Sequence, residues 1–174
     1  DSAGYLETLW KVEGEAGTTL TVNGELVTPG IAHEGATAIG TNGILSAAGT
    51  MADVDAAGLA TIEATGGLSA DELTLADGAD VLKDGAGVLS VTDLTTAGNA
   101  TLTAATDVEA ADLNLAASST FEKAGAGTLS VTDGSANTID ATNTVQVSDG
   151  EMSMQAASNP LGGATLNLNG GTYT

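Results

Sequence analysis

The sequence predicts an all-β fold: a right-handed parallel β-helix, or β-solenoid, built from units of about forty residues with two coils each. Three observations predict it. First, Gly85-Ala86-Gly87-Val88-Leu89-Ser90-Val91-Thr92-Asp93 returns forty residues later as Gly125-Ala126-Gly127-Thr128-Leu129-Ser130-Val131-Thr132-Asp133, with Lys83 and Lys123 at the same distance in front. Second, short runs that alternate apolar and polar residues follow one another about every eight to eleven positions, punctuated by Gly, Asn-Gly and Asp-Gly. Third, no amphipathic helix of useful length interrupts them. A fixed period marks stacked supersecondary units. Regular short strands mean a sandwich, a barrel or a β-helix, and the fixed period selects the last. The crossover rule for parallel strands gives the right hand.

The same offset recurs along the chain. Ala60-Thr61-Ile62 returns as Ala100-Thr101-Leu102, and Glu72-Leu73-Thr74-Leu75-Ala76 as Asp112-Leu113-Asn114-Leu115-Ala116. Ala116-Ala117-Ser118 returns as Ala156-Ala157-Ser158. The units fall at about 43–82, 83–122 and 123–162, with a partial copy at 163–174. Strands are expected at 89–91, 100–103, 113–115, 119–123 and 129–131. Residues 1–42 are expected to form an N-terminal cap and the first coils. Leu6, Leu9 and Trp10 share a helical face behind Ser2 as a possible N-cap, while Leu6, Trp10 and Val12 also fit a strand. Tyr5 and Trp10 would then plug an open end, since solenoids need capped termini. Residues 18–22 and 25–28 read as strands around Asn23-Gly24, which marks either a hairpin or a corner between coils. Residues 31–42 read as a loop or an irregular coil.

The core must be narrow. Only Tyr5, Trp10, Phe121 and Tyr173 are aromatic among 174 residues, so Val, Leu, Ile, Ala and Thr must fill it. A single coil cannot stand alone. Its few inward Leu or Val side chains contribute only ~1.5–3 kcal/mol each, well short of the cost of ordering a coil at ~1.5 kcal/mol per residue. Stacked coils share backbone hydrogen bonds ~4.8 Å apart and close the core from above and below.

The charge balance is strongly acidic. There is no Arg, and the bases Lys11, Lys83, Lys123 and His33 face 23 carboxylates, for a net charge of −20. Nucleic acid and anionic membranes bind Lys and Arg, so such a surface excludes both. It favours solubility, divalent cations or cationic partners. The absence of cysteine excludes disulfides, thiolate metal sites and thiol catalysis and is compatible with an extracellular bacterial protein. No apolar run approaches the ~20 residues that span a bilayer. The chain does not begin with Met and ends in mid-motif at Tyr173-Thr174, as expected of a piece of a longer polypeptide. Its partners would be neighbouring domains, or further copies joined through the β-helix ends.

A family resemblance rests on the C-terminal third. Phe121-Glu122-Lys123-Ala124-Gly125-Ala126-Gly127-Thr128-Leu129-Ser130-Val131 resembles the L-x-K-x-G-x-G-x-L-x-L opening of autotransporter-associated β-strand repeats. Ala136-Asn137-Thr138 and Thr144-Val145-Gln146-Val147-Ser148-Asp149-Gly150-Glu151-Met152 resemble its continuation, and Leu161-Gly162-Gly163-Ala164-Thr165-Leu166-Asn167-Leu168-Asn169-Gly170-Gly171-Thr172 its close. Thr138-Ile139-Asp140-Ala141 replaces the aromatic Thr-Tyr-Thr-Gly centre of the pattern. The resemblance implies a parallel β-helix passenger of a large, surface-displayed or secreted bacterial protein, with no catalytic residues.

The candidate chemistry is sparse. His33 has no nucleophile motif around it and reads as a surface histidine. Lys83 and Lys123 recur, which argues for structure: each is expected to pair with nearby carboxylates beside a corner. Asp53, Asp93 and Asp133 recur at the repeat period and would stack two coils apart, about 10 Å at the sheet spacing. They are either turn residues that accept backbone N–H bonds or a stripe bridged by Ca²⁺, which prefers such oxygens. The Gly-x-Gly pairs precede no helix and no Lys-Ser or Lys-Thr, which argues against a phosphate loop; they fit tight corners. Asp133 with Asp140, or Asp77 with Asp80, are candidate paired carboxylates for a glycan-cleaving or glycan-binding β-helix. The expected function is non-enzymatic: a rigid extracellular stalk or passenger segment, with a self-assembling filament subunit as an alternative.

Overall fold

The computed structural model describes residues 4–8, 10–155 and 160–174. It is all-β, without a helix among those residues, and its strands stack in parallel into a solenoid of about 8 turns. The first turn holds β1 (Tyr5–Glu7), β2 (Val12–Gly14) and β3 (Thr19–Val22), and the second β4 (Glu25–Val27), β5 (Ile31–His33) and β6 (Ala36–Ile39). The next two turns are long bent strands, β7 (Ile44–Ala56) and β8 (Thr61–Leu75). Then come β9 (Ala79–Asp84) with β10 (Leu89–Thr96), and β11 (Ala100–Ala104) with β12 (Val108–Leu115). The last turns hold β13 (Thr120–Ala124), β14 (Thr128–Val131), β15 (Thr144–Val147), β16 (Glu151–Met154), β17 (Thr165–Leu168) and β18 (Thr172–Tyr173).

Strands of successive turns lie over one another in three columns. The first runs through β1, β4, the starts of β7 and β8, and then β9, β11, β13, β15 and β17. The second runs through β2, β5, the middles of β7 and β8, the starts of β10 and β12, and β14, β16 and β18. The third takes β3, β6 and the ends of β7, β8, β10 and β12, followed by a bridge from Asn114 to Thr138. A strand changes column where its in–out alternation slips. In β10 the pairing skips Thr92, and the buried Val91 and Leu94 flank two outward residues instead of one.

The forty-residue period has a direct structural meaning. In the second column, Val12, Ile31, Gly49, Leu68, Leu89, Val108, Leu129, Met152 and Tyr173 form one row along the axis. Leu68 and Leu89 are 21 residues apart, Leu89 and Val108 19, and Val108 and Leu129 21. From Gly49 to Leu129 turns of 19 and 21 residues alternate, so an offset of forty spans two turns; the turns from Leu129 to Met152 and from Met152 to Tyr173 take 23 and 21 residues. Leu89 and Leu129, both fully buried, thus fill one row with Val108 between them.

The expected strands match β10, β11, β12, β13 and β14, and those around Asn23-Gly24 match β3 and β4. β3 and β4 belong to different columns and do not pair, so Asn23-Gly24 is a corner between turns, not a hairpin. Residues 31–42 are not an irregular loop. They form β5 and β6, whose inward positions include His33 and Thr37. Polar residues at core positions hid the period-2 pattern. The first turn pairs with the second like every later turn. Leu6 follows the strand reading, in β1. Tyr5 and Trp10 form no plug: they are 59% and 82% exposed. Ser2, Leu9 and the Ala156-Ala157-Ser158 copy lie outside the described residues.

The stacked row carries a prediction. Leu129→Ala should cost about 2–5 kcal/mol, as deletions in a packed core do. Its outward neighbour Ser130→Ala should stay within about 0.5 kcal/mol. Chemical denaturation of the two variants measures both, and equal losses would contradict the assigned inward row.

Candidate functional site: polar corners of the interior

A turn that bends must interrupt its ladder, and every buried carbonyl released at the bend needs a donor. The corners between the first and second columns solve this with lysine. Parity places the side chains: in β9, Ala79, Val81 and Lys83 point inward, and in β13, Phe121 and Lys123 do. Both lysines have 0% exposure. Lys83 Nζ donates to Gly85 O at 3.2 Å, to Gly87 O and to Thr106 Oγ1. Lys123 Nζ donates to Gly125 O at 2.5 Å, to Gly127 O and to Asp149 O at 3.1 Å.

The glycines make these corners. Gly85 and Gly125 sit at φ 82° and 77°, in the left-handed region. A Cβ on Gly87 would lie 1.7 Å from Gly66 O, and one on Gly127 would lie 2.4 Å from Thr106 O. Each corner therefore rests directly on the backbone of the turn before it. The strained positions that the sequence assigned to the Gly-x-Gly pairs are thus found at the first glycine of each pair. The second glycine is required for close approach.

The expected ion pairs are absent at both lysines. The only ion pair among the described residues joins Lys11 to Glu13, on the surface. Lys83 and Lys123 instead donate to neutral oxygens of their own corner and of the following turn. Burial pushes both ammonium groups below the ordinary lysine value; Asp84 and Asp107 oppose the shift at Lys83, and Asp149 and Asp107 at Lys123. Asp107, which acts on both, also accepts the Thr128 amide at 3.0 Å. The lysines are not in one row. Lys83 pairs with Ile62 and Ala104, while Lys123 pairs with Leu102 and Val147. Each serves the corner of its own turn and reaches into the next, whose inward positions are Ala104 and Val147. One lysine thus serves two turns.

Other corners use neutral donors for the same task. Thr28 Oγ1 lies 2.8 Å from Gly30 O and 3.1 Å from Trp10 O, so its single proton serves one or the other carbonyl of the first two turns. Asn143 Nδ2 donates to Ala116 O at 2.7 Å. His33 is not on the surface but 5% exposed. Its Nδ1 lies 3.0 Å from Gly35 O and 3.2 Å from Thr37 Oγ1, and its Nε2 lies 3.2 Å from Thr18 Oγ1. A Cβ on Gly14 would meet the ring at 2.1 Å, so glycine is what admits the imidazole. Both ring nitrogens are thus engaged by oxygens of the first two turns.

The carboxylates lie elsewhere. Asp53 and Asp93 share a row of the third column with Glu72 between them; Asp112, next in that row, is buried. They lie in β7 and β10 rather than in loops, which corrects the turn reading. Asp133 lies past the end of β14, where its amide donates to Ala111 O at 3.1 Å. Asp93 accepts from Asn114 Nδ2 at 3.0 Å, and Asp112 from the Ala136 amide at 2.9 Å. Among the described residues no three His, Asp or Glu side chains converge as a metal site would require. Asp77 and Asp140 act as local acceptors. Asp77 takes the Asn99 amide at 2.9 Å. Asp140 takes the Thr142 hydroxyl and amide at 2.6 and 2.7 Å, which holds its carboxyl below the usual range. Asp80 lies 3.4 Å from the Thr103 hydroxyl.

The chain matches no family model, no curated protein and no solved structure. No helix of the described residues is long and apolar enough to cross a membrane.

The lysine corners predict a pH dependence with a definite sign. At pH below the depressed values, both lysines are charged in the folded and unfolded chain, and folding bears their burial cost. As pH rises toward the ordinary value of 10.5, the folded chain loses these protons first. The unfolded chain then binds more protons, so stability rises through that window. Lys83→Met with Lys123→Met removes the effect and leaves corner carbonyls without donors, a loss of about 1–3 kcal/mol at each site. Denaturation across the window should show the advantage of the parent chain over this variant growing with pH. A constant or shrinking advantage would contradict the buried placement.

Proposed function

We propose that the chain is a non-enzymatic structural module: a rigid, acidic stalk or passenger segment of a bacterial surface or secreted protein. The observation that carries this reading is the unbroken row from Val12 to Tyr173, in which every turn closes the core of its neighbours. Eight spacings of ~4.8 Å give a stack about 38 Å long. The lysine, threonine and asparagine corners fasten turn to turn from inside, which suits a part that transmits position rather than one that reacts. The resemblance of residues 121–172 to autotransporter-associated repeats supports the passenger reading, and the net charge of −20 suits a solvated exterior. The test uses antibodies raised against the chain on intact source cells. Labelling without permeabilisation is expected; labelling only after permeabilisation would overturn the surface assignment. The purified fold should also survive broad-specificity protease at ambient temperature, since its backbone is committed to stacked ladders.

A second reading is end-to-end assembly of copies into a filament. The observation that favours it is the first turn. Among the described residues β1, β2 and β3 pair only with strands of the following turn, and Tyr5, Leu6 and Trp10 are 59%, 58% and 82% exposed there. At the other end Leu168 is 52% exposed. Open strand edges beside apolar surface template further pairing. Electron microscopy of the purified chain separates the readings: filaments support assembly, and single short rods contradict it.

A further inference from the structure

The two lysine corners gather oxygens around a primary amino group. The atoms around each Nζ are oxygens, all neutral: Gly125 O, Gly127 O and Asp149 O in one, and Gly85 O, Gly87 O and Thr106 Oγ1 in the other. Converging backbone carbonyls are the means by which proteins replace the water shell of a monovalent cation. The surrounding backbone is shaped to the occupant. Gly150 closes the Lys123 corner at φ 63°, and a Cβ there would lie 2.4 Å from Gly125 O, 2.5 Å from Gly127 O and 2.5 Å from Lys123 Nζ. Any larger residue would fill the space the ammonium occupies. The oxygens come from two successive turns, so whatever sits among them clamps one turn to the next.

We propose that each corner is a binding site for a primary alkylamine group whose N–H bonds serve the converging oxygens, that Lys83 and Lys123 supply this group as a tethered one, and that a corner stripped of its lysine will bind a free small alkylamine in its place. The group bridges its own turn and the next.

Lys123→Ala removes four side-chain atoms beyond Cβ, and propylammonium is that fragment. Its thermal midpoint should fall by about 2–12 °C, by the usual scaling for a chain of this size. Propylammonium chloride should restore part of the loss along a saturating curve, as a ligand of the folded state does. Tetramethylammonium chloride at equal ionic strength, which cannot donate a hydrogen bond, should not. The parent chain should respond equally to both salts. No recovery beyond the tetramethylammonium control, or equal recovery in the parent chain, would overturn the proposal. Should Lys123→Ala fail to fold, the parent chain itself gives the answer. With ¹⁵N-labelled lysine at neutral pH, two ammonium signals protected from rapid exchange are expected from Lys83 and Lys123, and none from the exposed Lys11. Rapid exchange at all three lysines would overturn it.

Discussion

A single turn of this solenoid encloses too little apolar surface to hold itself together, and everything else in the structure answers that constraint. Its inward side chains are covered only when another turn lies above and another below. Its strands find hydrogen-bond partners only in those same turns. The straight row from Ile31 through Leu89 and Leu129 to Met152 is the consequence, and small residues such as Ala47, Ala64 and Ala104 keep the enclosed space narrow.

Stacking creates a second problem at the corners. A chain that bends sharply inside a parallel stack exposes carbonyls to a dry interior, where water cannot serve them. The molecule places a polar side chain inside at such points. Thr28, His33 and Asn143 do so with neutral groups, and Lys83 and Lys123 do so with charge. Burying an ammonium is costly. Two features lower the cost here: converging backbone oxygens, and the nearby Asp107, whose field reaches both corners. Two of the three lysines are thus held inside, and Lys11 stays on the acidic exterior.

Much of the fold was legible in the sequence because repetition is preserved wherever geometry is. The Gly-x-Gly corners, the alternating runs and the common offset mark the strands and the stacking. The interior polar groups were hidden for identifiable reasons. Lys83 and Lys123 stand close to Asp84 and Glu122 in sequence, which suggests surface pairing. Their partners Thr106 and Asp149 are donated by another turn, 23 and 26 residues away. Strand parity with Val81 and Phe121 was the one local signal of their burial. In residues 31–39, His33 and Thr37 occupy inward positions, so a pattern read from hydropathy alone fades there. The acidic row was only half visible. A forty-residue offset links Asp53 to Asp93 and passes over Glu72, which belongs to the intervening turn.

The register between adjacent turns is the claim on which the rest stands, and the absence of native cysteine makes it directly measurable. Ser69 and Ser90 are paired on neighbouring turns and both point outward, at the separation of adjacent strands, ~4.8 Å, within disulfide range. The double variant Ser69→Cys with Ser90→Cys should close an intramolecular disulfide nearly completely under mild oxidation. Ser69→Cys with Val91→Cys, whose second position faces the core, should not. Failure of the first pair, or equal closure of both, would contradict the stacked architecture.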